Sequence, residues 1–139
     1  MAISKEKVYQ IGTGAGFGTV LFAYMIRHYA PDSVPAEILE ILPPFGQSVL
    51  WSNAYMAIKG FTSKLESMIV PAFISSVGIA TEIGQGLGLV RGTYDPKDIF
   101  AYALGGLAAA TIGYLNERRN SEFSCEPIGK HEVGVPELS

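Results

Sequence analysis

The sequence predicts an all-α protein, a polytopic membrane bundle of four helices with both termini in the cytoplasm. Three observations predict it: four long stretches almost without charge, a composition of 48% hydrophobic against 17% charged residues, and a biased placement of lysine and arginine. A length of 139 residues fits a single unit. We expect a four-span transmembrane domain over residues 1–116 and a polar cytoplasmic tail over residues 117–139.

Composition excludes several classes of protein. A net charge of −3 argues against a basic nucleic-acid binder, and a positive mean hydropathy of +0.26 argues against a disordered chain. Cys125 is the single cysteine, so no internal disulfide can form. Asp95 and Asp98 are too few ligands to indicate a metal. We therefore expect neither a cofactor nor a metal, and no nucleic-acid partner.

Each span has a distinct character. Residues 8–26 carry no charge and are too long for a cleaved signal peptide, so they predict an uncleaved first span. Residues 41–58 are also uncharged but rich in polar side chains, and Pro43-Pro44 predicts a break after a short surface helix. Residues 67–90 contain one charge, Glu82, and residues 99–116 contain none. A soluble bundle would need a polar face on every helix, which the fourth span lacks.

The distribution of basic residues predicts the orientation. With the N-terminus inside, seven lysines and arginines lie on inner segments and three on outer loops. The inner ones are Lys5, Lys7, Lys59, Lys64, Arg118, Arg119 and Lys130, and the outer ones are Arg27, Arg91 and Lys97. Because positive loops stay in the cytoplasm, both termini are expected there.

Small residues predict close contact between helices. Eleven of the sixteen glycines fall in the first, third and fourth spans. The candidate packing positions are Gly12, Gly14, Gly16, Gly18, Gly84, Gly88, Gly105 and Gly106. Glycines four residues apart let helix backbones approach each other in a bilayer. A phosphate-binding loop at residues 11–18 is a weaker interpretation, because no strand–helix context surrounds these glycines.

Polar residues cluster around the turn between the third and fourth spans. If the third span reaches residue 90, Glu82 lies about 12 Å from the outer end of that span, at 1.5 Å per residue. A carboxylate at that depth should face the bundle interior, and Gln85 projects from the same helix face. Arg91, Asp95 and Asp98 follow in the turn. These five residues are the candidate site, either as a ligand-binding group or as a structural clamp in which Arg91 pairs with an aspartate.

The order Glu82-x-x-Gln85, Arg91, Asp95-x-x-Asp98, Gly105 resembles the signature of VanZ-like integral membrane proteins. The resemblance covers residues 67–115, about a third of the chain. At residue 102 this chain has tyrosine where the family commonly has asparagine. The resemblance implies a helical membrane fold more than it implies an activity.

Three functions remain open from the sequence. The first is a non-enzymatic protein that binds a lipid, an envelope component or a partner through the outer end of the span 3/span 4 hairpin. The second is an accessory subunit of a larger membrane complex, with other membrane subunits as its partners. The third is an enzyme acting on an envelope lipid, with Glu82 as general acid or base. Membrane lipids are partners in each case.

Overall fold

The computed structural model describes residues 4–60 and 63–124, with side chains as far as Arg119. Within this described part, four α-helices and one short 3-10 turn account for all regular structure, and no strand is present. The helices are α1 (Lys5–Tyr29), α2 (Ala36–Lys59), α3 (Glu66–Gly86) and α4 (Pro96–Ser124), and the 3-10 turn is Pro31–Ser33. The all-α prediction is confirmed. Helix α4 runs past the expected boundary at residue 116, and residues 125–139 of the expected tail lie outside the described residues.

Helices α2 and α4 form the centre of the bundle. They pack on each other, while α1 packs mainly on α2 and α3 mainly on α4. The α1–α2 and α3–α4 connections lie together at one end of the bundle, which we call the cleft end. At the opposite end, Lys5 Nζ forms an ion pair with Glu117 at 2.6 Å, and the Asn116 side chain donates to Lys5 O at 3.1 Å. These contacts join the start of α1 to the distal part of α4.

Helix α2 continues through Pro43 and Pro44, so the predicted break and separate surface helix are wrong. A proline has no N–H, and Pro43 therefore leaves the carbonyl of Leu39 without its usual partner four residues on. The Arg27 guanidinium of α1 donates to that carbonyl at 2.9 Å. A side chain from the neighbouring helix thus replaces the backbone bond lost at Pro43 and helps α2 to remain one helix.

Helix α3 ends at Gly86, four residues before the predicted end of the third span. Gly88 adopts φ +72°, a conformation that favours glycine. The N–H of Leu89 donates to Gly84 O at 2.8 Å, and the N–H of Gly88 donates to Gln85 O at 3.0 Å. This pair of bonds is the Schellman motif that closes many helices. Gly88 accordingly lies in the turn rather than on a helix face.

The glycines of α1 divide into two faces. A Cβ built on Gly16 would lie 2.5 Å from the backbone nitrogen of Leu50 and 2.8 Å from Gly46 O, so α1 and α2 cross there backbone to backbone. A Cβ on Gly12 would meet the Asn53 side chain. Gly14 and Gly18 face away from α2, with nothing within 4 Å among the described residues.

The remaining candidate glycines lie in α3 and α4. A Cβ on Gly105 would reach Phe45 O of α2 at 2.5 Å, and one on Gly106 would meet Ser75 of α3. The glycine pair therefore lets α4 approach both neighbours. Gly84 faces Val90 of the following turn rather than another helix.

Polar side chains share the interior with apolar ones, and many large apolar side chains lie on the outside. The buried polar residues are Ser48, Ser52, Asn53, Ser67, Ser75, Glu82 and Asn116. Every helix exposes large apolar side chains, among them Phe17, Phe22, Trp51, Ile58, Phe73, Phe100 and Leu107. Within the described residues, α3 and the Pro96–Arg119 part of α4 are long and apolar enough to cross a bilayer. The polar residues of α2 face inward, which explains why its sequence is the least apolar of the expected spans.

Candidate functional site

Glu82 lies on the last turn of α3, where it holds the following turn of chain. Its side chain is 6% exposed, and its Oε2 accepts the backbone N–H of Asp95 at 3.3 Å. The Gln85 side-chain amide donates to Glu82 Oε2 at 3.3 Å and to Thr93 O at 2.9 Å. Because α3 ends at Gly86, Glu82 is about 6 Å from the helix end at 1.5 Å per residue, half the depth expected from the sequence.

The α3–α4 turn passes directly over Gln85. Gly92 has φ +148°, and a Cβ built there would lie 2.5 Å from the Gln85 side-chain amide. Only glycine combines this backbone angle with so close an approach. The turn and the side chains of Glu82 and Gln85 therefore form one hydrogen-bonded unit.

Asp95 begins α4. Its Oδ1 accepts the backbone N–H of Lys97 at 2.9 Å, the bond expected of an N-cap, and Pro96 occupies the first helical position, where proline is favoured. Asp98 lies one turn into the helix and is half-buried. Asp95 thus caps α4, and the Asp98 carboxylate takes no part in this cap.

Arg91 does not join the cluster. It is exposed on the turn and forms no ion pair in the described part of the chain. The pairing of Arg91 with Asp95 or Asp98, one of the alternatives left open by the sequence, is therefore not present. Two other basic residues at this end do contact neighbouring helices: Arg27 of α1 donates to Leu39 O, and Lys97 of α4 pairs with Glu40 of α2 at 3.0 Å.

A cleft of about 560 Å³ opens at this end between α1, α2 and the start of α4. Its charged lining residues are Arg27, Glu40, Asp95 and Asp98, and its polar ones include Tyr24, Gln47, Thr93 and Tyr102. Sequence reasoning missed Arg27, Glu40 and Gln47 as site residues, because only the packing of α1 on α2 brings them to Asp98. Glu82 is not among the lining residues.

A second cavity of about 360 Å³ lies beside the cleft, on the lateral face between α2, α3 and α4. We call it the lateral groove. Its lining is mainly apolar and includes Trp51, Ile74 and Val77. Gln47 and Tyr102 line both cavities, and the Tyr102 hydroxyl donates to Gln47 Oε1 at 3.2 Å. The two cavities therefore adjoin at this hydrogen-bonded pair.

The arrangement suits binding of a small polar group at the bundle end. Both volumes lie in the range of roughly 300–1,000 Å³ found for small-ligand pockets. Opposite charges line the cleft, so it offers donors and acceptors to one ligand. Among the described residues, no three metal-ligating side chains come together.

Comparison of the chain with protein-family models, with curated proteins and with solved structures gives no match.

Proposed function

We propose that this chain is a small VanZ-like membrane protein with four spans, both termini cytoplasmic, and a non-enzymatic binding role. Its ligand is a lipid, an envelope component or a partner, and it binds at the outer end of the span 3/span 4 hairpin. The cleft lies at that end, formed jointly by the start of α4, the turn before it and the neighbouring parts of α1 and α2.

The distribution of side chains supports four spans rather than two. In water, a bundle that exposes so many phenylalanine, leucine and isoleucine side chains while it buries several serines, an asparagine and a glutamate would be poorly stabilised, because burial of apolar area is the main driving force for folding. In a bilayer the same distribution is favourable. Exposed apolar side chains occur on α1 and α2 as well as on α3 and α4, which supports a lipid-facing surface for all four helices.

The cleft is the observation that carries the binding role. A purely structural clamp needs Glu82, Gln85 and the turn, but it needs no open volume. Here about 560 Å³ remains between three helices, lined by both acidic and basic side chains. Such convergent polar groups around a pre-formed cavity are the usual features of a ligand site.

Native mass spectrometry of protein extracted in a mild detergent tests this proposal. Ala36 lines the cleft, and Ala36→Trp should fill it and abolish copurifying ligand. Ala80 is exposed on α3 and does not line the cleft, so Ala80→Trp serves as the matched control. Equal ligand retention by the two variants, with both folded, would contradict a binding site in the cleft.

A second candidate function is that of an accessory subunit of a membrane complex. Gly14 and Gly18 support it, because they form a small-residue face on α1 that no other described residue covers, a surface suited to a helix from another chain. Stoichiometric copurification of another membrane protein, lost on Gly14→Leu and retained on Ala72→Leu at an exposed small residue of α3, would favour this role over ligand binding.

A further inference from the structure

We infer that the cleft and the lateral groove form one site for an amphiphile, a phospholipid whose headgroup carries a primary amine. The phosphate and amine occupy the cleft, and an acyl chain lies in the groove. This inference rests on the proposed function and adds to it the chemical class of the ligand.

The two cavities have complementary chemistry. The cleft is polar and opens at the bundle end, where a lipid headgroup lies in the proposed orientation. The groove is mainly apolar and opens on the side of the bundle, where acyl chains lie. Since Gln47 and Tyr102 line both, one molecule can pass from one cavity to the other along this pair.

Glycine makes the position of Tyr102 possible. A Cβ built on Gly78 of α3 would lie 2.5 Å from the Tyr102 ring, so the ring rests directly on the α3 backbone. The hydroxyl then reaches Gln47 Oε1. Tyr102 therefore forms a wall of the groove along its ring and a polar edge of the cleft at its hydroxyl.

The charges of the cleft select the headgroup. Arg27 uses one guanidinium nitrogen for Leu39 O, and a guanidinium has further N–H donors for a phosphate. Glu40 is paired with Lys97, and Asp95 caps α4. The Asp98 carboxylate has no hydrogen bond or ion pair in the described part of the chain, so both of its oxygens can accept from an ammonium group. An anionic headgroup without an amine would leave this carboxylate unpaired.

Trp51 provides the experiment, because it is the single tryptophan of the chain and it lines the groove. The purified protein is reconstituted in vesicles of phosphatidylcholine with a small fraction of lipid brominated on its acyl chains. Brominated phosphatidylethanolamine and brominated phosphatidylglycerol are compared at equal fraction. Quenching by the glycerol lipid measures random collision of lipid with Trp51. We expect quenching of Trp51 by the ethanolamine lipid to exceed this level.

Two variants test whether Asp98 recognises the headgroup and whether the acyl chain lies in the groove. Asp98→Asn should weaken the ethanolamine preference about tenfold, as for loss of a charge-assisted bond, and Val77→Phe should narrow the groove and reduce quenching. Asp32→Asn removes a carboxylate at the same end of the bundle but outside both cavities, and it should leave the preference unchanged. Circular dichroism confirms that each variant is folded.

The outcomes separate the inference from the proposed function. Equal quenching by both lipids, together with ligand loss in Ala36→Trp, would overturn the amine headgroup and leave the binding role. Stronger quenching by the glycerol lipid than by the ethanolamine lipid would also overturn the amine headgroup and leave the binding role. Competition by water-soluble glycerophosphoethanolamine at the same concentration as the lipid would overturn use of the groove. No enrichment of any lipid and no effect of Ala36→Trp would overturn both.

Discussion

At the scale of single residues, Glu82 shows what the local sequence can and cannot predict. Its burial and its proximity to Gln85 follow from helix spacing and from the cost of a carboxylate in an apolar environment. Its distance from the end of the helix was overestimated, because the predicted span did not take account of the helix-ending conformation of Gly88. The contribution of Arg27 to the cleft was also out of reach, since it depends on the contact between two helices rather than on any local pattern.

Substitutions at Glu82 should separate hydrogen bonding from charge. Glu82→Gln keeps an acceptor for the Asp95 N–H, and we expect it to fold with nearly normal thermal stability in detergent. Glu82→Leu leaves the Asp95 N–H and the Gln85 amide without this partner, at a cost of about 1–3 kcal/mol per unpaired group. Thermal unfolding followed by circular dichroism measures both.

The matched control for Glu82→Leu is Glu37→Leu, at an exposed glutamate on the first turn of α2. This change should alter the unfolding temperature little. If Glu82→Leu proves as stable as Glu37→Leu, the hydrogen bonds of Glu82 do not hold the turn.

At the scale of helices, the sequence located all four elements but not the partners of their faces. Two overlapping glycine pairs in α1 are equivalent by spacing, and only the structure distinguishes Gly12 and Gly16, which meet α2, from Gly14 and Gly18. The helix break predicted at Pro43-Pro44 of α2 was wrong for a similar reason. The Leu39 carbonyl, freed by Pro43, is satisfied by Arg27 from another helix, a contact that spacing along α2 cannot indicate.

The crossing of α1 and α2 gives a prediction about these glycines. Gly16→Leu should destabilise the protein by about 3 kcal/mol or more, at the upper end for overpacking, because its new side chain meets backbone atoms that cannot move aside. Gly18→Leu should have little effect on the isolated chain. Folded yield by size-exclusion chromatography in detergent compares them, and equal yields would show that the helices do not cross at Gly16.

The α2–α3 connection gives a prediction about pH. Lys59 donates to Glu66, and this hydrogen-bonded carboxylate raises the pKa of Lys59 above its usual value. A raised folded-state pKa means that the stabilisation is complete below the ordinary lysine pKa of about 10.4 and is lost as the pH rises through the folded value.

A double-mutant cycle with Lys59→Met and Glu66→Gln checks this expectation. The coupling between the two residues should be small at pH 7, because both side chains are exposed and solvent screens them. It should shrink further in high salt and vanish as the pH rises through the raised pKa of Lys59. A coupling that persists unchanged at high pH would mean that the pair is not ionic.

At the scale of the whole molecule, the proposed orientation places both connections of the cleft end outside the cell. In a background with Cys125→Ser, an impermeant maleimide should label Asp32→Cys and Thr93→Cys from outside and Lys7→Cys only after permeabilisation. Labelling of Thr93→Cys from the cytoplasm alone would reverse the orientation. Labelling of Asp32→Cys from the cytoplasm alone would reduce the number of spans.

The inward polar face of α2 has a consequence for biosynthesis. α1 and α2 leave the ribosome before α3 and α4, the helices apolar enough to enter a bilayer by composition alone. At that moment Asn53 can pack against Gly12, but Ser48 still lacks Ser75, its later hydrogen-bond partner at 3.4 Å. We therefore expect a nascent chain ending near residue 60 to remain at the translocon, and lateral release into the lipid to await the synthesis of the second hairpin.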